Sequence, residues 1–218
     1  MASKPKQAEP RPAPRLYLVT PRVEDATAFS AQLAEALVAG VAAVLLRLAA
    51  TDERTLINIA TALGPVAQDK GVALLLDGHT DLVARAGADG AHLTGIAAFN
   101  DAIGLLKPDR IAGVGGLETR HDAMAAAERG ADYVMFGEPD AAGVRPSFAS
   151  VEERVAWWAE VFEAPCVGFA DSSDEVAALV TAGADFIALG DWIWRDPRTT
   201  AATIADAAQH LRLSEPAA

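Results

Sequence analysis

A short join repeated along the chain limits its fold more than any other feature. Gly40-Val41-Ala42, Ala86-Gly87-Ala88-Asp89, Arg129-Gly130-Ala131-Asp132 and Ala182-Gly183-Ala184-Asp185 each separate a stretch of helical spacing from an apolar run of strand length. The glycine suits a left-handed helix stop, and the small alanine lets a helix come close to a sheet. Strands that alternate with helices in this way run parallel, because each crossover returns the chain to the same edge. Eight strand-helix units can be counted, which favours a closed (β/α)8 TIM barrel over an open doubly wound sheet. A dinucleotide fold is further disfavoured, since no strand opens into GxGxxG with an acid about 20 residues on.

The unit at the centre of the pattern is Gly71 to Leu93, GVALLLDGHTDLVARAGADGAHL. Val72–Leu76 is a buried strand, and Asp77 at its end is a polar group delivered to a pocket or a strand-end hydrogen-bonding residue. Around it the predicted strands are Arg15–Thr20, Ala43–Leu48 with Arg47 near its end, a strand ending near His92, Ile111–Val114 opening into Gly115 and Gly116, Tyr133–Phe136, Cys166–Phe169 and Phe186–Leu189. The predicted helices are Phe29–Val38, Asp52–Gln68 with Thr51 or Asp52 as cap, a helix carrying Leu82, Val83 and Ala86, Ala97–Leu106, Glu118–Glu128, Val151–Phe162, Asp174–Ala182 behind Ser172 and Ser173, and Thr200–Leu211. Gly64 and Pro65 fall inside the second helix and are expected to bend it. Gly137–Ser150 contains only turn formers and is the expected cover of the mouth. Trp157 and Trp158 point about 100° apart on their helix, so one enters the core and the other packs on a neighbour or a partner.

The 218 residues suit one domain, 15–212, preceded by a disordered tail, 1–14, rich in proline, alanine and charge. No run approaches the roughly 18 uncharged apolar residues of a membrane span, and the N-terminus lacks the apolar core of a secretion signal, so a cytoplasmic location is expected. The lone Cys166 reads as a buried small hydrophobe. Thirty acidic against eighteen basic residues give a net charge of −12. That field disfavours nucleic acid and anionic membranes as partners, and leaves a small-molecule substrate, possible phosphates included, to local donors in a closed pocket.

Taken in order, LYLVT, Gly40-Val41 before VLLR, LLLDGHTDL, GADGAHL, GADYVMFG and GADFIAL resemble the thiamine phosphate synthase family, which includes a non-transferring relative, the thiazole tautomerase; the likeness runs from about Leu16 to Pro197. The resemblance implies a (β/α)8 barrel that joins an aminopyrimidine diphosphate to a thiazole phosphate with magnesium, releases pyrophosphate and forms a homodimer. It implies catalytic roles for Arg47, Asp77 and Glu138, magnesium (Mg2+) on Asp77, and ligand contacts at Thr20, Arg47, His92, Gly115, Gly116, Gly137, Arg145, Ser147, Gly168, Asp171, Gly190 and Asp191.

Several positions depart from the family pattern. Gln-Leu-Arg-x-Lys on the second strand becomes Leu45-Leu46-Arg47-Leu48-Ala49, which keeps the arginine alone. Ile-Asn-Asp-Arg becomes Leu75-Leu76-Asp77-Gly78, and the second metal carboxylate is replaced by Ala97. The Thr-x-Thr-Lys loop is represented by Arg145 and Ser147. Asp171 and Asp191 stand where the thiazole phosphate would bind, and like charge there opposes an anion. Arg195 either swings toward this cup or pairs with Asp191, Asp196 or solvent. Glu138 takes the place of the tautomerase's proton-transferring histidine and reads as an acid/base or as a solvated loop acid. Two functions follow: a synthase-like transferase of weakened or altered activity, or a non-transferring, tautomerase-like or ligand-binding barrel.

Overall fold

The computed structural model describes residues 12–38, 40–49 and 52–212. Eight parallel strands close into a barrel in chain order, each paired with its sequence neighbours and the last with the first. The elements are β1 (Arg15–Val23), α1 (Ala26–Ala36), β2 (Val41–Leu48), α2 (Glu53–Gln68), β3 (Ala73–Asp77), a 3₁₀ turn at Thr80–Leu82 running into α3 (Val83–Ala86), β4 (Gly90–Thr94), α4 (Ile96–Leu106), β5 (Ile111–Gly115), α5 (Arg120–Glu128), β6 (Tyr133–Phe136), α6 (Phe148–Val161), β7 (Cys166–Ala170), α7 (Ser173–Ala182), β8 (Phe186–Leu189), a 3₁₀ turn at Asp191–Trp194 and α8 (Thr200–Arg212). The barrel read from the repeated joins is therefore the fold. Most of the sequence reserved for a tail, 1–11, and Thr51 lie outside the described residues.

Side chains alternate across each strand and build two separate cores. Leu16, Leu18, Val44, Leu46, Leu74 and Leu76 point outward and pack under the helices. Tyr17, Val19, Ala43, Leu45, Leu75, Tyr133, Met135, Val167, Phe169 and Ala188 point inward and fill the barrel. Continuing the inward parity puts Arg47 at the end of β2, Asp77 at the end of β3, and His92 and Thr94 on β4 at the C-terminal mouth. Asp77 and His92 are direct register partners.

The repeated join does more than stop a helix. Gly87 and Gly183 take φ of +69° and +93° and end α3 and α7 in the left-handed conformation. The aspartate that follows then clamps the start of the preceding strand in both directions. Asp89 accepts from the Leu74 amide at 2.7 Å, Asp132 from Ala112 at 2.7 Å and Asp185 from Cys166 at 2.8 Å. Their own amides donate to the carbonyls of the same three residues, at 2.8, 2.9 and 3.0 Å. One residue type thus satisfies backbone groups at the floor of β3, β5 and β7 that burial would otherwise leave costly.

Two local differences from the sequence reading have clear causes. Helix α1 starts before Phe29 because the Asp25 carboxylate caps it, accepting from Thr27 at 2.7 Å and Ala28 at 3.3 Å. Helix α2 has the expected extent, with Pro65 inside it, and Leu56, Ile59, Ala60, Leu63 and Ala67 bury one face along its length. Helix α6 starts at Phe148, since Ser147 is its cap, and shortens the expected loop. On that helix Trp158 is buried with its indole N–H donating to the Ala164 carbonyl at 2.7 Å, whereas Trp157 is half-buried under the Arg120 guanidinium.

Candidate active site

A cavity of about 390 Å³ opens at the C-terminal end of the strands, lined by Arg22, Arg47, Asp77, His92, Thr94, Met135, Glu138, Asp140, Phe169 and Asp191 among others. That end of a barrel is where strand termini and the loops after them converge. A second cavity of about 260 Å³ lies at the opposite floor, lined mainly by apolar groups such as Ala43, Ala73, Ile111 and Phe186. The polar groups able to do chemistry are concentrated at the mouth.

One wall of the mouth is a buried hydrogen-bonded chain. The Tyr17 and Tyr133 hydroxyls are 2.8 Å apart, Tyr133 Oη is 2.9 Å from His92 Nδ1, and His92 Nε2 is 2.9 Å from Glu138 Oε2. A carboxylate only accepts, so His92 Nε2 carries a proton toward Glu138. Neutral His92 then accepts from Tyr133, which accepts from Tyr17. A proton added at Nδ1 would reverse both phenol bonds.

Burial desolvates His92 and pulls its pKa down. The negative field of Glu138, the hydrogen bond to it and the field of Asp77 together outweigh that, and the net position is above the ordinary 6.5. Both phenols are held protonated, first of all by burial, with titration pushed above 10. The other carboxylate oxygen, Glu138 Oε1, is buried without a hydrogen-bond partner among the described residues.

Glycines make room for this chain. A Cβ on Gly115 would stand 2.2–2.5 Å from the Glu138 carboxyl atoms, and one on Gly113 would stand 2.0–2.3 Å from the Tyr133 ring. Glu138 reaches inward because Gly137 turns the backbone at φ +97° just after β6. It is not the solvated loop acid of the simpler sequence reading; its side chain is 12% exposed.

The opposite wall is an ion pair at the surface. Arg47 Nη2 bonds to Asp191 Oδ1 across the β2 and β8 ends, and Arg47 Nε donates to the Thr20 carbonyl. Thr20 is buried behind it, accepting from the Arg47 amide at 3.0 Å and donating to the Pro21 carbonyl at 2.8 Å. Asp191 is therefore engaged by Arg47 rather than by Arg195, and Asp196 is engaged by Arg198.

The remaining expected site residues divide. Arg145 reaches the rim, but its guanidinium bonds to Glu175 at 2.9 Å and the carbonyls of Phe169 and Gly137 at 3.0 and 3.3 Å, tying the loop down. Ser147 lies away from the cavity as the cap of α6, 2.9 Å from the Ser150 hydroxyl. Gly168 faces outward: its Cβ would meet Leu179 of α7 at 2.9 Å. Asp171 is exposed outside the cavity lining, with its amide on Glu175. Gly116, Gly137 and Gly190 stand against Thr94, Val151 and Phe169, where any side chain would clash.

For a metal, the donor set is sparse. Among the described residues no three His, Cys, Asp or Glu side chains gather as a cage. Magnesium, however, usually takes one or two carboxylates plus substrate phosphates. Asp77 fits that need, because its carboxylate lines the cavity without a hydrogen bond or ion pair to another described residue. Glu138 and Asp191 are engaged, and Ala97, exposed on α4, supplies no ligand.

No helix among the described residues is long and apolar enough to cross a membrane. Comparison with known proteins gives a consistent picture. The chain is 41% identical over 196 residues to a thiamine-phosphate synthase of Rhodospirillum centenum, covering 88% of this chain and 95% of that one. It is 37% identical over 210 residues to a thiamine-phosphate synthase of Hyphomonas neptunium, covering 90% and 93%. The solved thiamine phosphate pyrophosphorylase of Pyrococcus furiosus superposes with a TM-score of 0.74 over 93% of this chain and 97% of that one; at 19% identity this supports the fold alone. The family model for thiamine monophosphate synthase matches residues 16–193, nearly the whole barrel, and this chain belongs to that family.

Proposed function

We propose that this chain is a thiamine phosphate synthase-like transferase, joining an aminopyrimidine diphosphate to a thiazole phosphate at the barrel mouth. The observation that carries this reading is the convergence of Arg47, Asp77 and the His92–Glu138 pair on one cavity, in a chain so similar to thiamine-phosphate synthases over its length. In the reaction the thiazole nitrogen lone pair forms a bond to the pyrimidine methylene carbon, the carbon–oxygen bond to the diphosphate breaks, and pyrophosphate departs with that electron pair. Negative charge grows on the leaving oxygen, where a positioned guanidinium is worth most. Arg47 is the group for that task once it leaves Asp191. Asp77 would hold magnesium, whose charge offsets that of the diphosphate. Asp77 and Glu138 together supply a negative field to the pyrimidine as its methylene carbon turns positive. His92, fixed between Tyr133 and Glu138, keeps the Glu138 carboxylate in position.

Substrate binding is expected to be weakened, because Arg47 must exchange an internal carboxylate for the substrate, and Arg145 is already committed to Glu175. The test is to mix purified protein, both substrates and magnesium and to measure thiamine phosphate and pyrophosphate. The expected result is equimolar product that Asp77→Ala and Arg47→Ala each abolish; no product together with no binding of either substrate would refute the reading.

A second reading, a non-transferring barrel, is favoured by one observation: Arg47 and Arg145, the two arginines expected to meet the diphosphate, already have carboxylate partners from this chain. Glu138 would then move a proton on a thiazole carboxylate phosphate. Isomerisation that survives Glu138→Gln would exclude that role for Glu138.

A further inference from the structure

Anions that approach the mouth find few free cations. The cavity lining has two arginines, Arg22 and Arg47, against four carboxylates, Asp77, Glu138, Asp140 and Asp191. Arg47 is fixed from behind by the Thr20 carbonyl, so its guanidinium faces across the opening, and that face is taken by Asp191. The two partners differ in exposure: the Arg47 side chain is 20% exposed and the Asp191 side chain 68%. Asp191 can therefore leave into water at little cost, while Arg47 stays with the cavity. A carboxylate held this way has the charge sign and bonding geometry of an incoming phosphate oxygen, and it competes for the same donor.

We propose that Asp191 is a specificity-determining residue: it occupies Arg47 Nη2 as an internal anion, so that a phosphate or diphosphate group bonds to that nitrogen only by displacing it. This rests on the reading that Arg47 receives the substrate's diphosphate. Free phosphate and pyrophosphate, with nothing but charge to offer, are discriminated against. A ligand that also places a nitrogen heterocycle against Asp77 and Glu138 gains contacts that offset the displacement. Once displaced, Asp191 remains close enough to repel the bound anion, which also favours release of a polyanionic product.

The test is calorimetric titration of inorganic pyrophosphate into the full-length protein in EDTA, so that no metal bridges Asp77. Asp191→Ser is expected to bind pyrophosphate about tenfold more tightly than the wild type, and about 1.4 kcal/mol corresponds to that change. Arg47→Ala in the Asp191→Ser background should remove the gain, and circular dichroism of each variant controls for folding. Equal affinity in wild type and Asp191→Ser, or a gain that survives loss of Arg47, would overturn the proposal. No second substrate and no turnover are involved, so a failure here is distinguishable from failure of the transferase reading, which shows in product formation.

Discussion

Arg47 and His92 stand at the same end of the barrel, and each meets a carboxylate from a distant part of the chain under opposite conditions. His92 and Glu138 are 2% and 12% exposed; Arg47 and Asp191 are 20% and 68%. The first pair is one link of a chain that continues through two buried phenols. The second ends in water. An ion pair at the surface is worth about 0–1 kcal/mol, whereas removing one member of a buried pair costs about 3–5 kcal/mol by stranding the other. The mouth thus has one wall that holds its shape and one that can be opened by a ligand.

The comparison is sharpened most by His92→Ala, which strands Glu138 and the Tyr133 hydroxyl; urea denaturation should report a loss of about 3 kcal/mol. A much smaller loss would mean that the buried wall is not continuous. The same pair should show in the pH dependence. His92 titrates above 6.5 in the folded protein, so the stability it gains from Glu138 is fully present below about 6.5 and is lost as pH rises through the folded value. The stability gap between wild type and Glu138→Gln should therefore be widest below about pH 6.5 and narrow as pH rises above it, and a gap that widens would reverse the assignment.

Next in size is Gly115→Ala. Its methyl would fall on the Glu138 carboxyl group, and overpacking of this kind costs about 1–3 kcal/mol. In a Glu138→Ala background most of that cost should vanish; if it does not, the glycine serves the strand and not the glutamate. The smallest effect belongs to the exposed wall: Asp191→Ser should change stability by less than about 1 kcal/mol. A larger loss would make the two walls alike.

The barrel was legible because parity and helix stops are local. Leu74, Leu75 and Leu76 alternate between the two cores whatever follows, and Gly87 ends its helix from its own backbone geometry. The same parity delivered Arg47 and Asp77 to the mouth. The aspartates of the repeated join were visible as letters, but their partners sit 15 to 20 residues upstream on another strand, and nothing local marks an amide as needing them. Glu138 reads in sequence as either an acid/base or a solvated loop acid for a related reason. It follows Gly137, whose positive φ breaks the alternation and returns the next side chain to the interior. Tyr17 and Tyr133, 116 residues apart, read as ordinary strand aromatics until the barrel closes and brings their hydroxyls together. Arg145 and Asp171 show the reverse, being charged residues at the right level whose groups are turned to neighbours or to solvent.

A crystal structure of the protein with an unreactive aminopyrimidine diphosphate analogue tests this account most directly. Analogue in the mouth, with its diphosphate on Arg47, Asp191 turned out to solvent and the His92–Glu138 bond unbroken, is the expected result. Analogue bound with the Arg47–Asp191 pair still closed, or found in the floor cavity instead, would contradict it.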